Sequence, residues 1–195
     1  NLAAAVATNV SLVLGTVAVL VAWRAEAEQK LRALAMTDGL TGLLNRRGFT
    51  NQGDNLLSHA WRHRLPVTAL MLDLDHFKQI NDTHGHEAGD RALQLFARLL
   101  TETCRSGDLM ARLGGEEFGV LLLHNAAPAG HAFDTRLRQR LHEASASELG
   151  FVLDYSGGMA SLLPGESKLA VLMARADGAL YDAKTAGRGR LMAAG

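Results

Sequence analysis

The acidic residues best placed for chemistry fall in two short stretches. Asp73-Leu74-Asp75 closes an apolar run, and Glu116-Glu117 directly follows Gly114-Gly115. Carboxylates gathered at one edge of a sheet repel each other and rise in pKa unless a cation neutralises them. Mg²⁺ suits such a place, because it takes one or two carboxylates and completes its octahedron with waters and substrate phosphates. Residues two apart in a strand share a face and consecutive ones do not, so Glu116 and Glu117 are expected to divide the work. One would bind metal while the other faces the reaction centre. The chain has 195 residues, with 20 Lys+Arg balancing 20 Asp+Glu. A formal net charge of zero provides no field to gather nucleic acid, so no nucleic-acid partner is expected, and phosphates must be held by a local basic cluster. Neither a P-loop nor a G-x-G-x-x-G motif is present to cradle them. The pairs His59/His63 and His84/His86 lack the companion spacing of a zinc motif. Cys104, the one cysteine, sits in an apolar helical pattern and reads as a buried, inert thiol.

These residues need elements to carry them. VTALMLDLD, residues 67–75, is a near-continuous apolar run of strand length, as in a strand covered on both faces. LMARLGGEEFGVLLL reads as two strands joined at Gly114-Gly115, because both glycines accept the positive φ of a tight hairpin. A helix is expected from about Arg46 to His63, broken by Pro66, and a second over HEAGDRALQLFARLLTETC. NDTHG between strand and helix is turn-prone. Beyond Asn125, PAGHAFDTRLRQRLHEAS looks helical, FVLDYSGGMASLL looks like a strand weakened by two glycines, and SKLAVLMARADGALYDAKTAG is a closing helix that stops at Gly187. The fold class is therefore α/β (α+β): a mixed central sheet with an antiparallel hairpin, flanked by helices and preceded by an N-terminal helix.

The N-terminal part differs in kind. No charged residue occurs from Asn1 to Trp23, and this run is long enough to cross a hydrocarbon core that needs about 20 residues. Residues 1–23 read as a transmembrane helix at the tail of a longer membrane protein. Trp23, Arg24, Lys30 and Arg32 mark its cytoplasmic flank, which places the remainder in the cytoplasm at the inner membrane. Residues 24–36 continue as a helical stalk able to pair two copies. Residues 37–195 are of a size for one compact domain.

RLGGEEF, residues 112–118, resembles the signature loop of GGDEF-domain diguanylate cyclases in its GGEEF form. DGLTGLLNRRGF resembles that family's opening segment, DLDHFKQINDTHGHEAGD its nucleotide-binding segment, and ADGALYDAKTAGR its closing helix. The resemblance implies a GGDEF, nucleotide-cyclase-like fold and a catalytic set of Asp73, Glu116 and Glu117. It assigns Asp73, the Leu74 carbonyl, Glu116 and Glu117 to two Mg²⁺ (or Mn²⁺) ions per half-site, with Glu117 also deprotonating a ribose 3′-hydroxyl. Asn81 and Asp90 match the guanine readers; a carboxylate can accept from both N1–H and N2–H of guanine, a donor pair that adenine lacks. Lys78, Lys184 and Arg188 match the positions that hold the triphosphate, and His76 and Phe77 those whose backbone amides approach it. Gly114 and Gly115 would let the backbone lie against the nucleotide. Arg105-Ser106-Gly107-Asp108 resembles the family's RxxD inhibitory product site.

The activity so implied is the condensation of two GTP into cyclic di-GMP and two pyrophosphates by a homodimer with one GTP held in each half-site. The alternative is a module that binds GTP or cyclic di-GMP without turnover. Two residues depart from the family pattern: Gly157 stands where a bulky aliphatic is usual and Gly189 where Asn is common, and both are expected to loosen the structure locally.

Overall fold

The computed structural model describes residues 14–24, 26, 36–123 and 127–195. The chain divides into two units, Asn1–Ala35 and Met36–Gly195. In the first, residues 14–24 are helical. Most of the expected membrane segment and stalk lies outside the described residues, and among those described no helix is long and apolar enough to cross a membrane.

The second unit is built on a mixed six-stranded sheet of order β1-β3-β4-β2-β5-β6. Its strands are β1 Leu44–Asn45, β2 Val67–Leu74, β3 Leu109–Gly114, β4 Glu117–Leu123, β5 Tyr155–Ser161 and β6 Leu191–Ala193. The helices are α1 Arg46–His63, α2 Phe77–His84, α3 His86–Thr103, α4 Ala127–Leu149 and α5 Leu169–Thr185. β2 runs antiparallel to β4 on one side and to β5 on the other, and all eight of its residues are buried. That burial is why its sequence is apolar without alternation. Leu70, Leu72 and Leu74 pack with Phe118, Val120 and Leu122 against Phe96 and Leu100 of α3 and Leu137 of α4. Val67, Ala69 and Met71 face the other way, with Phe49 and Leu57 of α1 and Leu172, Ala176 and Leu180 of α5. Each large side chain buried in this way contributes about 1.5–3 kcal/mol. Asp73 falls in step with Val67, Ala69 and Met71, at the open end of the α1/α5 face.

Local chemistry sets the element ends. The Asn45 side chain caps α1 by accepting from the Gly48 amide at 2.9 Å, and Arg64, in the left-handed region, ends it two residues before Pro66. NDTHG is not a turn: Asn81 to His84 form the last part of α2, which stops only at Gly85, φ +84°. Four turn-prone residues were overruled by the helix they complete. β1 and β6 had no sequence signal, because strands of two and three residues are too short to show a period of two; their partners β3 and β5 create them.

The two glycines expected to weaken β5 instead fit it to its neighbours. A Cβ on Gly158 would lie 2.0 Å from the Ala176 carbonyl oxygen and 2.1 Å from the Leu180 nitrogen, so α5 rests directly on the strand backbone. A Cβ on Gly157 would press only on the side-chain ends of Leu191, at 2.8 Å, and Leu72, at 3.0 Å, with the Met71 carbonyl oxygen at an ordinary contact distance of 3.8 Å. Backbone cannot yield as a leucine tip can. Gly158→Ala should therefore destabilise the domain by about 3 kcal/mol and Gly157→Ala by about 1 kcal/mol, a contrast to be read from urea unfolding midpoints.

Candidate active site

The register of the sheet places Asp73 directly opposite Glu117. Opposed residues of an antiparallel pair project to the same face with Cβ atoms about 4.5–5.5 Å apart, so two acids distant in sequence share the open end of the α1/α5 face. Glu116 lies in the turn, and its carbonyl accepts from the Leu74 amide at 3.3 Å. The turn itself demands the second glycine of the pair: Gly115 has φ +49°, the left-handed region in which a Cβ is strained. No protein atom lies within 4 Å of a Cβ built on Gly114 or Gly115. The space above the turn is open.

Lys184, in the last turn of α5, places its Nζ 2.9 Å from Oδ2 of Asp73. Burial raises the Asp73 pKa above the ordinary 3.8; the Lys184 hydrogen bond and charge pull it back, and Glu116 and Glu117 add to the rise. The neighbouring glutamates are thus close enough to be felt by Asp73, while Lys184 supplies the cation that the crowding requires. Arg46 of α1 stands 3.6 Å from Glu117, an exposed pair of little energetic weight, and donates to the Leu113 carbonyl at 3.0 Å. Among the described residues no three His, Cys, Asp or Glu side chains form a ready cation cage. Mg²⁺ does not need one, since one or two carboxylates suffice when phosphates and waters supply the rest. The opposed Asp73 and Glu117, with the adjoining Glu116, fit that requirement.

Other sequence-predicted residues gather around this end of β2. His76 adopts φ +58° as the N-cap of α2, and no side chain caps that terminus, so backbone N–H groups at the start of α2 remain available to an anion. Lys78 is exposed in the first turn of α2. α2 and α3 pack closely at Asn81: a Cβ on Gly89, the residue before Asp90, would lie 2.0 Å from the Asn81 Oδ1. Phe77 is half-buried against the core and lies beside the same glycine. Arg188, with φ +62°, follows Lys184 at the end of α5. An open cleft of about 490 Å³ runs beside Glu117, lined by Arg46, Met71, Leu113 and Asp177 among others. A larger cavity of about 740 Å³, lined by Trp61, Arg62, Arg64 and Leu163, lies toward the start of β2 and holds none of the predicted site residues.

Several contributors carried no assigned role in the sequence. Arg112 donates through Nε to the Gly115 carbonyl at 2.8 Å and reaches Asp38 at 3.3 Å, whose carboxylate also accepts from the Thr41 amide and hydroxyl. This ties the opening segment to the hairpin tip. Asp75, buried beyond the strand end, accepts from Ser156 and from the Gly189 amide. Arg136 of α4 lines a small cavity of about 100 Å³ together with Arg105, Asp108 and Phe133. Within that cavity Asp108 already has a structural duty: its two oxygens accept from the Arg105 amide at 2.8 Å and the Leu123 amide at 2.9 Å. Beside it, burial pushes the Cys104 thiol up to about 12, with the Asp108 charge as a second cause.

Comparison with known proteins matches residues 35–190 to the family model described as "Diguanylate cyclase, GGDEF domain". The chain is 38% identical over 171 residues to the probable diguanylate cyclase DgcC of Escherichia coli, covering 85% of this chain and 45% of DgcC. It is 41% identical over 160 residues to the response regulator PleD of Caulobacter vibrioides, covering 80% of this chain and 35% of PleD. The chain thus spans less than half the length of these curated relatives. Among solved structures, the GGDEF domain of DgcB from Caulobacter crescentus in complex with c-di-GMP aligns with a TM-score of 0.73 at 35% identity, covering 82% of this chain and 96% of that one. The active GGEEF domain of a Vibrio cholerae diguanylate cyclase aligns with a TM-score of 0.74 at 32% identity, covering 78% and 98%.

Two outcomes follow from this geometry. Arg112→Ala should cost about 1.5–3 kcal/mol and speed amide exchange at residues 114–117 before it affects the rest of the sheet, as resolved by hydrogen-exchange NMR. Cys104 should resist alkylation by iodoacetamide in native protein at pH 8 and react once urea unfolds the chain, because the thiolate is the reactive form.

Proposed function

The chain belongs to the GGDEF diguanylate cyclase family, and from that premise we propose that it condenses two GTP into cyclic di-GMP and two pyrophosphates, with one GTP held by each of two facing copies. The observation that carries this reading is the opposition of Asp73 and Glu117 at an open glycine turn, with the Lys184 ammonium on Asp73. An aspartate, a glutamate and a lysine converge where a triphosphate and its counter-ions would need them.

Each 3′-oxygen bonds to the α-phosphorus of the opposite nucleotide, the α–β phosphoanhydride bond breaks, and pyrophosphate leaves. Two such transfers close the ring. Glu117 takes the proton from the 3′-hydroxyl. Lys184, Lys78 and Arg188 hold the triphosphate, and the first amides of α2 meet it from the backbone side. Asn81 and Asp90 read the guanine edge across the close α2–α3 contact. Mg²⁺ or Mn²⁺, held by Asp73, the Leu74 carbonyl, Glu116 and Glu117, would neutralise charge on the phosphate oxygens. Because neither half-site holds both reactants, the rate depends on how often two domains face each other.

Product inhibition is assigned to the Arg105 cavity. Among the described residues, Arg105 and Arg136 line that cavity and would meet a cyclic dinucleotide, and Asp108 shapes the turn that carries Arg105. The uncharged run 1–23 with the basic residues after it supports an inner-membrane anchor, a pairing stalk over 24–36 and a cytoplasmic catalytic domain over 37–195.

Incubation with GTP and Mg²⁺ should yield cyclic di-GMP and pyrophosphate in a 1:2 ratio by chromatography; binding of the cyclic dinucleotide without turnover would leave only a receptor. Glu117→Gln should lower kcat by about a hundredfold or more, the usual worth of a general base, with an unchanged melting temperature. Arg105→Ala should raise the cyclic di-GMP concentration needed for half-inhibition about tenfold, as expected for one lost charged hydrogen bond. An unaltered inhibition curve would remove Arg105 from that site.

A further inference from the structure

We propose that Asp75 is a positioning residue for this nucleotide site: its buried carboxylate clamps the Arg188–Gly189 turn to the end of β2 and so fixes Arg188 beside the triphosphate. The inference rests on the reading of the site given above. Its physical basis is a set of contacts that no local sequence pattern announces.

The Asp75 side chain is only 5% exposed. Oδ1 accepts from the Ser156 hydroxyl at 2.8 Å, and Oδ2 accepts from the Gly189 amide at 3.0 Å, between residues 114 apart in sequence. Arg188 Nε stands 3.9 Å from Oδ1, at the outer limit of an ion pair. The amide of Asp75 in turn donates to the Asp154 carbonyl at 2.9 Å, so the carboxylate is aimed by backbone on its own side as well.

The turn that it holds needs holding. Gly187, Arg188 and Gly189 have φ +103°, +62° and +58°, three consecutive residues at positive φ, of which Arg188 alone carries a Cβ. A non-glycine residue there is strained and persists only where its surroundings over-determine it. Behind Arg188, the helix end supplies one tie, the Arg188 amide donating to the Ala183 carbonyl at 3.0 Å. Ahead of it, Asp75 acts alongside two further ties, the Arg190 Nε donating to the Arg188 carbonyl at 2.9 Å and the Gly157 amide donating to the Arg190 carbonyl at 2.8 Å, and among the three it is the one that holds the Gly189 amide. The φ of Gly189 also explains the departure noted in the sequence, since Gly and Asn are the two residues that visit this region readily. Asp154 bounds the turn from another side: a Cβ on Gly189 would fall 2.9 Å from its Oδ2.

The end of β2 thus presents two aspartates with separate duties. Asp73 holds Lys184 by its side chain, whereas Asp75 holds Arg188 mainly through the next residue's backbone. Loss of Asp75 would free the Arg188 turn while leaving the Asp73–Lys184 pair and the glutamates in place. Ground-state grip on GTP should suffer more than the chemical step.

The test compares Asp75→Ala, Asp75→Asn and Ser156→Ala with the parent in two ways: steady-state turnover of GTP with Mg²⁺, and amide exchange at Gly189 in the nucleotide-free protein. Asp75→Ala should raise KM about tenfold, the worth of one buried charged hydrogen bond, with kcat changed less than about threefold. Its Gly189 amide should exchange about tenfold faster. Asp75→Asn keeps an acceptor for Gly189 and can donate to the Ser156 oxygen, so it should restore slow exchange and most of the parent KM. Ser156→Ala, which only loosens the aim of the carboxylate, should move both quantities about threefold in the direction of Asp75→Ala; it decides the matter if Asp75→Ala does not fold. Unchanged Gly189 exchange in folded Asp75→Ala, or in Ser156→Ala should the former not fold, overturns the clamp, as does a fall in kcat with KM unchanged. A parent protein that turns over no GTP would instead count against the reading of the site, and the exchange measurement would still decide the clamp.

Discussion

The site depends on keeping carboxylates together that electrostatics would separate. Asp73 is buried, its pKa raised by burial and further by Glu116 and Glu117, and no local feature of its strand relieves it. Relief comes from Lys184, which the fold carries to within 2.9 Å. Such a pair is a poor source of stability, because desolvation offsets most of the attraction. On the function proposed above, the same ammonium would be free to turn from the acids to a phosphate.

Several packing details serve that arrangement. α5 can deliver Lys184 only because β5 has a glycine where the helix backbone touches the strand. The antiparallel register between β2 and β4 sets Asp73 against Glu117; a slip by one residue would send the two acids to opposite faces. The hairpin tip is held from outside by Arg112, which links the Gly115 carbonyl to Asp38 in the opening segment. The opening segment of the domain is thereby connected to the turn that would face the nucleotide.

A second acidic and basic group lies apart from the first, where Arg105, Asp108 and Arg136 surround a small cavity between α3, α4 and the end of β4. Asp108 is committed to two backbone amides, so its first effect is to shape the turn between α3 and β3. Both arginines are exposed, whereas Asp108 is buried. Domains of this family solved with c-di-GMP share the fold at TM-scores above 0.7.

The sequence alone determined whatever rests on local pattern. The uninterrupted apolar run made β2 a central strand, Gly114-Gly115 made a hairpin, apolar spacing made α1, α3, α4 and α5, and the acids were visible at strand ends. Only the tertiary structure decided who meets whom. That Asp73 is answered by Lys184, that Asp75 holds Gly189, that Arg136 joins Arg105, and that β1 and β6 exist at all are products of long-range pairing. NDTHG became helix, and the glycines of β5 became points of contact, for the same reason. A hydrogen bond between residues 114 apart leaves no periodicity in the chain, because its geometry exists only once the sheet has brought both ends to one place.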